Sequence, residues 1–147
     1  MCIRTADPAD LPAIKALLDA HRAELGFVPL PALRQAQERG WLCVATAGGQ
    51  VLGAIDWWAR RDGVVVLYSI VVARAARGQG TGRLLVTHLV NWARERNAAQ
   101  IRLKCPADLP ANGFYARLGF RLAEEEAGKR RVLNCWTLPV GSAAARI

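Results

Sequence analysis

No stretch of this 147-residue sequence is apolar for long enough to cross a membrane as a helix. The longest apolar run, Val64 to Val72, is nine residues and carries Tyr68 and Ser69. A spanning helix needs roughly 20 apolar residues. The opening Met1-Cys2-Ile3-Arg4 leads into a charged, periodic segment and lacks the apolar core of a secretory leader. A cytoplasmic protein with no membrane partner is the expectation. Histidine is scarce, with only His21 and His88, and the four cysteines (Cys2, Cys43, Cys105 and Cys135) include no C-x-x-C. The usual zinc spacings are therefore missing, and no metal is expected. Cys43, Cys105 and Cys135 sit in apolar, strand-like runs. They read as buried free thiols of a reducing compartment. Repeats and linkers are also missing. A single domain over 1–140, followed by a small-residue tail at 141–147, is the expected organisation.

What is present is a basic, core-forming chain. The hydrophobic fraction of 52% and charged fraction of 22% suit a soluble globular domain. The net charge of +8 raises the question of nucleic acid. The arginines are spread along the chain, however. Arg60-Arg61 and Lys129-Arg130-Arg131 fall at turn positions and form no basic tract. The reading is solvated surface charge with no nucleic-acid partner. The same field favours an anionic ligand.

Along the chain, Cys2 to Thr5 reads as a strand. Asp7-Pro8 opens a helix with an N-cap and a first-position proline. Leu11, Ile14, Leu17, Leu18 and His21 then share one helical face. Gly26 breaks that helix, and a second, short one runs from Pro29 and Pro31 to Gly40. Trp41 to Thr46 and Val51 to Ala59 read as a hairpin about Gly48-Gly49. The long strand Val64 to Val72 follows the turn Arg61-Asp62-Gly63. Three glycines, Gly78, Gly80 and Gly82, then precede a helix with Leu84, Leu85, His88, Leu89 and Trp92 on one face. Ile101 to Cys105 is a strand. Asp108, as N-cap, and Pro110 open a helix that ends at Gly119. Phe120 to Glu124 and Arg131 to Leu138 close the chain around Gly128. Strand, glycine loop, helix and strand make a parallel crossover flanked by antiparallel hairpins. The expected fold class is α/β, a mixed central sheet of about seven strands with helices on both faces.

The glycine loop is the most informative segment. It joins an apolar strand to an amphipathic helix. Glycines there let backbone approach a ligand, and the unpaired first amides of the helix favour an anion such as phosphate. A Walker loop would need a Lys after its last glycine, and none follows. A dinucleotide motif would place its third glycine at Arg83 or Leu85. Both nucleotide readings fail. The pattern Arg77-x-x-Gly80-x-Gly82, after Ile70-Val71-Val72 and before Leu84-Leu85, instead resembles the acetyl-CoA signature of the GNAT superfamily of N-acetyltransferases. That resemblance implies that Arg77, Gly78, Gln79, Gly80, Thr81, Gly82 and Arg83 wrap the coenzyme's pyrophosphate. It also implies that Ile70, Val71 and Val72 meet the pantetheine arm through their backbone.

A second segment, Ala111-Asn112-Gly113-Phe114-Tyr115-Ala116-Arg117-Leu118-Gly119-Phe120, resembles that family's other hallmark, A-x-x-[LF]-Y-x-x-x-G-F. It implies that Tyr115 lies at the coenzyme sulfur and protonates the departing thiolate, and that Asn112 also meets the coenzyme. Two departures stand out: Asp108 replaces an Asn common in the family, and Ala73-Arg74 replace an acidic residue and Pro.

Acetyl transfer needs a neutral amine, a polarised carbonyl and a protonated leaving thiolate. The resemblance implies direct attack in a ternary complex, with a backbone amide near Ile70 and Val71 as the oxyanion donor. Cys105 as an acetylated nucleophile is the rival route. Members of the family often carry a Glu on the strand before the loop, whereas Val64 to Val72 contain no carboxylate. Asp56 is the nearest alternative base, Glu24 another, and water relayed by Ser69 a third. Trp57 and Trp58 point to opposite faces of a strand, so at most one lines an acceptor pocket. The acceptor is expected to be a small-molecule amine. A peptide or protein amine, and an acetyl-CoA-binding sensor without catalysis, stand as alternatives. A homodimer is left open.

Overall fold

The computed structural model describes residues 1–141; the segment 142–147, which holds nearly all of the expected tail, lies outside the described residues. Seven strands form one mixed sheet in the order β1-β2-β3-β4-β5-β7-β6. They are β1 (Cys2–Thr5), β2 (Leu42–Ala47), β3 (Gln50–Ala59), β4 (Val64–Val72), β5 (Gln100–Pro106), β6 (Arg121–Ala127) and β7 (Val132–Pro139). Five helices accompany them: α1 (Leu11–Ala20), α2 (Arg22–Leu25), α3 (Leu30–Arg39), α4 (Thr81–Glu95) and α5 (Ala111–Arg117). The chain packs as two compact units, Met1–Trp58 with Leu67–Leu89, and Ala59–Val66 with the described residues from Val90 on. Strand β4 and helix α4 each run from one unit into the other. Among the described residues no helix is long and apolar enough to cross a membrane.

In the first unit, the β-branched and aromatic runs of β2 and β3 pair antiparallel, with Leu42 opposite Asp56 and Val44 opposite Ala54. Strand β1 pairs antiparallel with β2. The α1 residues Leu11, Ile14 and Leu18 recur at helical spacing and are buried together with Leu33 and Ala36 of α3 and with Leu42, Val44 and Ala54 of the sheet. Burying each of the leucine, isoleucine and valine side chains stabilises the fold by about 1.5–3 kcal/mol. The Asp7 cap is present. Asp7 Oδ1 accepts from the Ala9 N–H at 3.0 Å, and Asp10 Oδ2 accepts from the Asp7 N–H at 2.8 Å. The first turn, Pro8–Asp10, is a 3₁₀ turn, and α1 proper starts at Leu11. Arg4 of β1 donates to both Asp10 oxygens, at 2.7 and 2.9 Å, and so ties the strand to the helix start.

The expected long first helix is broken earlier than Gly26. His21, with φ −115° and ψ 24°, turns the chain between α1 and α2. Gly26, at φ +76°, then ends α2. Another glycine matters more for the site. A Cβ on Gly53 of β3 would lie 2.8 Å from the Val71 carbonyl oxygen, 3.2 Å from Leu85 Cδ1 and 3.4 Å from Thr81 Cγ2. Only a residue without a side chain lets the end of β4 and the first turn of α4 close onto β3 there.

In the second unit, the start of β4 pairs parallel with β5, Val64 opposite Gln100 and Val66 opposite Arg102. Strand β5 pairs antiparallel with β7, and β7 with β6. Alternate β5 residues Ile101, Leu103 and Cys105 are buried, as a half-covered strand requires. Strand β6 runs past Glu124 through Glu125 and Glu126 to Ala127. It is exposed along nearly its whole length, so its acids cost nothing in burial and do not end the strand.

The helix expected to start at Asp108 starts instead at Ala111, with Pro110 as cap residue and no side-chain cap. Asp108 lies outside the helix, and its carboxylate accepts from Arg131 at 2.8 and 3.1 Å. The turn before the helix is held instead by Asn112, whose Nδ2 donates to the carbonyls of Pro106 and Leu109.

Candidate active site

The first unit holds the glycine loop. Strand β4 ends at Val72, a 3₁₀ turn covers Arg74–Ala76, and α4 begins at Thr81. Gly78 and Gly80 sit at φ +78° and +82°, where side chains are strained, and a Cβ on either would meet open space. Backbone conformation, not crowding, therefore calls for glycine at these two positions. Gln79 and Arg83 are exposed, Gly82 is half-buried and Thr81 is buried. The segment Leu67–Leu89 carries Arg74, Arg77 and Arg83 and no carboxylate, which suits an anion. The Arg77 side chain makes two contacts although the residue is exposed. Its Nε donates to the Val72 carbonyl at 3.3 Å, and its Nη2 lies 3.2 Å from Nδ1 of buried His21. These bonds hold the loop to the end of β4 and to the corner between α1 and α2.

Asp56 and Ser69 also meet in this unit. Asp56 on β3 is 8% exposed and Ser69 on β4 is 7% exposed. Burial pushes the Asp56 carboxyl up to about 6, opposed by hydrogen bonds from the Ser69 side chain and backbone and from its own backbone. A carboxyl tuned towards neutrality can accept a proton at working pH. Ile70 and Val72 are half-buried on β4, whereas Val71 is buried. Trp57 is buried, and Trp58 is half-buried with its ring 4.8 Å from that of Trp41, edge to face. Glu24 lies exposed on α2.

The second unit holds Tyr115. It is 6% exposed on α5, edge-on to Phe114 and Phe120 with centroids at 5.4 and 5.8 Å. Burial, with a smaller push from Cys105, moves its hydroxyl far above the ordinary tyrosine range. The phenol thus stays protonated. Burial also raises the Cys105 thiol, against the pull of Arg131, so it rests as an unreactive thiol. Asn112 is fully engaged. Its Nδ2 donates to the Pro106 carbonyl at 2.9 Å and the Leu109 carbonyl at 2.8 Å. Its Oδ1 accepts from Asn134 Nδ2 at 3.0 Å and Trp136 Nε1 at 2.9 Å.

Sequence reasoning missed His21, Gly53, Asn134 and Trp136. The partners of Asn112 and Arg77 lie 22, 24 and 56 residues away in sequence, beyond any local pattern. Gly53 did carry a signal, being a lone glycine inside a strand. One further cluster escaped the cysteine and histidine survey: Glu124, Glu126 and Cys135 bring ligand atoms within 4.8 Å of one another. Glu126 is already paired with Lys104 at 3.0 Å.

The comparisons with known proteins agree with this geometry. A model of the acetyltransferase (GNAT) family matches residues 12–120. A Pseudomonas phage PaMx11 protein, 5-NmdU N-acetyltransferase, is 35% identical over 63% of this chain and 66% of its own length. The chain spans between 35% and 66% of the lengths of the curated relatives it matches. The ribosomal-protein-alanine N-acetyltransferase of Brucella melitensis superposes with a TM-score of 0.80 at 28% identity, over 95% of this chain and 99% of that one. A Mycobacterium tuberculosis protein solved in complex with CoA superposes with a TM-score of 0.76 at 25% identity, over 88% of this chain and 77% of that one. With a family model covering both the glycine loop and the Tyr115 segment, this chain belongs to the acetyltransferase (GNAT) family.

Proposed function

We propose that the chain transfers an acetyl group from acetyl-CoA to the primary amine of a small molecule, by direct attack with both substrates bound. The observation that carries this reading is the loop between β4 and α4. Two glycines there hold positive φ, and the segment Leu67–Leu89 that contains them carries three arginines and no acid. The loop amides from Gly78 to Arg83 and the start of α4 would hold the pyrophosphate. The backbone of Ile70 to Val72 would hold the pantetheine arm and polarise the thioester carbonyl. Because the Arg77 side chain is committed to Val72 and His21, its share in coenzyme binding falls to its backbone. The same holds for Asn112.

Asp56 takes the proton of the attacking amine, with Ser69 holding the carboxylate in place. The nitrogen–carbon bond forms, the carbon–sulfur bond breaks and Tyr115 gives its proton to the sulfur. The raised Asp56 carboxyl is poised to take a proton from an amine near neutral pH. The phage relative named above supports a small acceptor. The Brucella structure supports a second reading, a protein N-terminal amine. The four thiols are free, which suits a reducing, cytoplasmic setting.

The test is thiol release from acetyl-CoA across a panel of amino sugars, aminated nucleosides, free amino acids and peptides with N-terminal alanine. Turnover on small amines supports the proposal. Turnover confined to peptides replaces it with the second reading, and coenzyme binding without turnover on any amine favours a sensor.

A further inference from the structure

Helix α5 has seven residues and no side-chain cap on its first turn. Isolated helices shorter than about 12–15 residues are marginal in water, so its place depends on what pins it. Asn112 is the pin. All four of its side-chain hydrogen-bonding positions are used. Two hold the preceding turn through the carbonyls of Pro106 and Leu109. Two reach β7 through Asn134 and Trp136. Tyr115 stands three residues on, one helical turn along the same face. The network also keeps an irregularity. Asn134 Oδ1 is buried and meets no donor among the described residues. A network serving stability alone would gain by satisfying or deleting that atom, since buried polar groups are costly when unpaired.

We propose that Asn112, with Asn134 and Trp136, is a positioning set that fixes the Tyr115 hydroxyl at the coenzyme sulfur. The proposal rests on the reading of Tyr115 as the donor to the departing thiolate. The side chains of its positioning residues bond to one another and to the preceding turn. They act by holding the turn that precedes Tyr115.

The test needs no acceptor. A phenol that donates to the sulfur of bound CoA stabilises the thiolate, so the bound thiol should ionise at lower pH than free CoA. The intact chain, saturated with CoA, is titrated with pH while thiolate absorbance is followed. CoA affinity is measured by calorimetry alongside. Tyr115→Phe should cut the thiolate fraction at fixed pH by roughly tenfold, the order expected for losing one hydrogen bond to a charged group. Asn112→Ala should move the titration the same way by a comparable factor, with CoA affinity held within about threefold because the pyrophosphate contacts lie elsewhere. Trp136→Phe keeps an aromatic ring and removes one donor to Asn112. It should give a smaller shift of the same sign, and it serves if Asn112→Ala does not fold. A shift in Tyr115→Phe with none in the folded Asn112 and Trp136 variants overturns the positioning role and leaves the Tyr115 reading standing. No shift in Tyr115→Phe overturns both.

Discussion

Asp56→Asn should make the protein more stable at neutral pH while removing its base. The folded carboxyl titrates near 6 against an ordinary 3.8, because burial penalises its charge. Its folded form therefore binds its proton more tightly than the unfolded chain does. Stability is fullest below about pH 4 and falls as pH rises from about 4 to 6, and the whole penalty is present above that. A shift of about two units corresponds to about 3 kcal/mol at 1.36 kcal/mol per unit. The side chain is 8% exposed, so solvent screening takes little from this figure. Asparagine has the same shape, can still accept from Ser69 and carries no charge at any pH. Its stabilising effect should thus be near zero at pH 4 and reach about 3 kcal/mol at pH 7, or about 6–10 °C in Tm for a chain of this size. Paired chemical denaturation curves across that pH range measure it directly. With an accepted amine in hand, kcat/KM of the parent should climb with pH to a plateau through about 6, and the variant should lose that limb. An advantage that is flat between pH 4 and pH 7 would refute the claim that a buried, ionisable Asp56 weakens the fold.

Gly80→Val places a β-branched residue at φ +82° in open space. It should abolish the thermal shift given by acetyl-CoA while far-ultraviolet dichroism stays native; an unchanged shift counts against the loop as the pyrophosphate cradle. Gly53→Ala drives a Cβ to 2.8 Å from the Val71 carbonyl oxygen. It should cost about 1–3 kcal/mol in denaturant unfolding and weaken acetyl-CoA binding as the seat of α4 shifts. Tyr115→Phe should lower turnover by about 10²–10⁴-fold with nearly constant acetyl-CoA affinity. A small stability loss with near-normal turnover would instead make Tyr115 a core residue.

The strands and most helices were legible because apolar periodicity and glycine placement are local. Val64–Val72, the α1 face and the glycine loop could each be read from a window of a dozen residues. The candidate site was legible in part. Tyr115 and the loop carry motifs, but Asp56 could be weighed only as a neighbour by topology. Its burial and its bond to Ser69 depend on how β3 and β4 fold together. Asp108 misled for a related reason. Asp at that spacing reads as a cap until Arg131, 23 residues later, takes its carboxylate, leaving the first turn of α5 without a side-chain cap. The stop expected at Glu124 failed because three consecutive acids resemble a loop unless the strand is known to be exposed.

That acidic strand bears on how molecules of this protein meet. Strand β6 ends the sheet order, so one of its edges has no neighbour among the described residues. Unpaired strand edges invite a second chain to add on, which is the usual route to sheet-mediated aggregation. Here the outer strand is interrupted between Leu122 and Glu124 by a register shift, and Glu124, Glu125 and Glu126 follow at once. Two copies offering this edge to each other would bring carboxylates face to face across a distorted ladder. The bulge and the run of acids make this edge a poor template for a further strand.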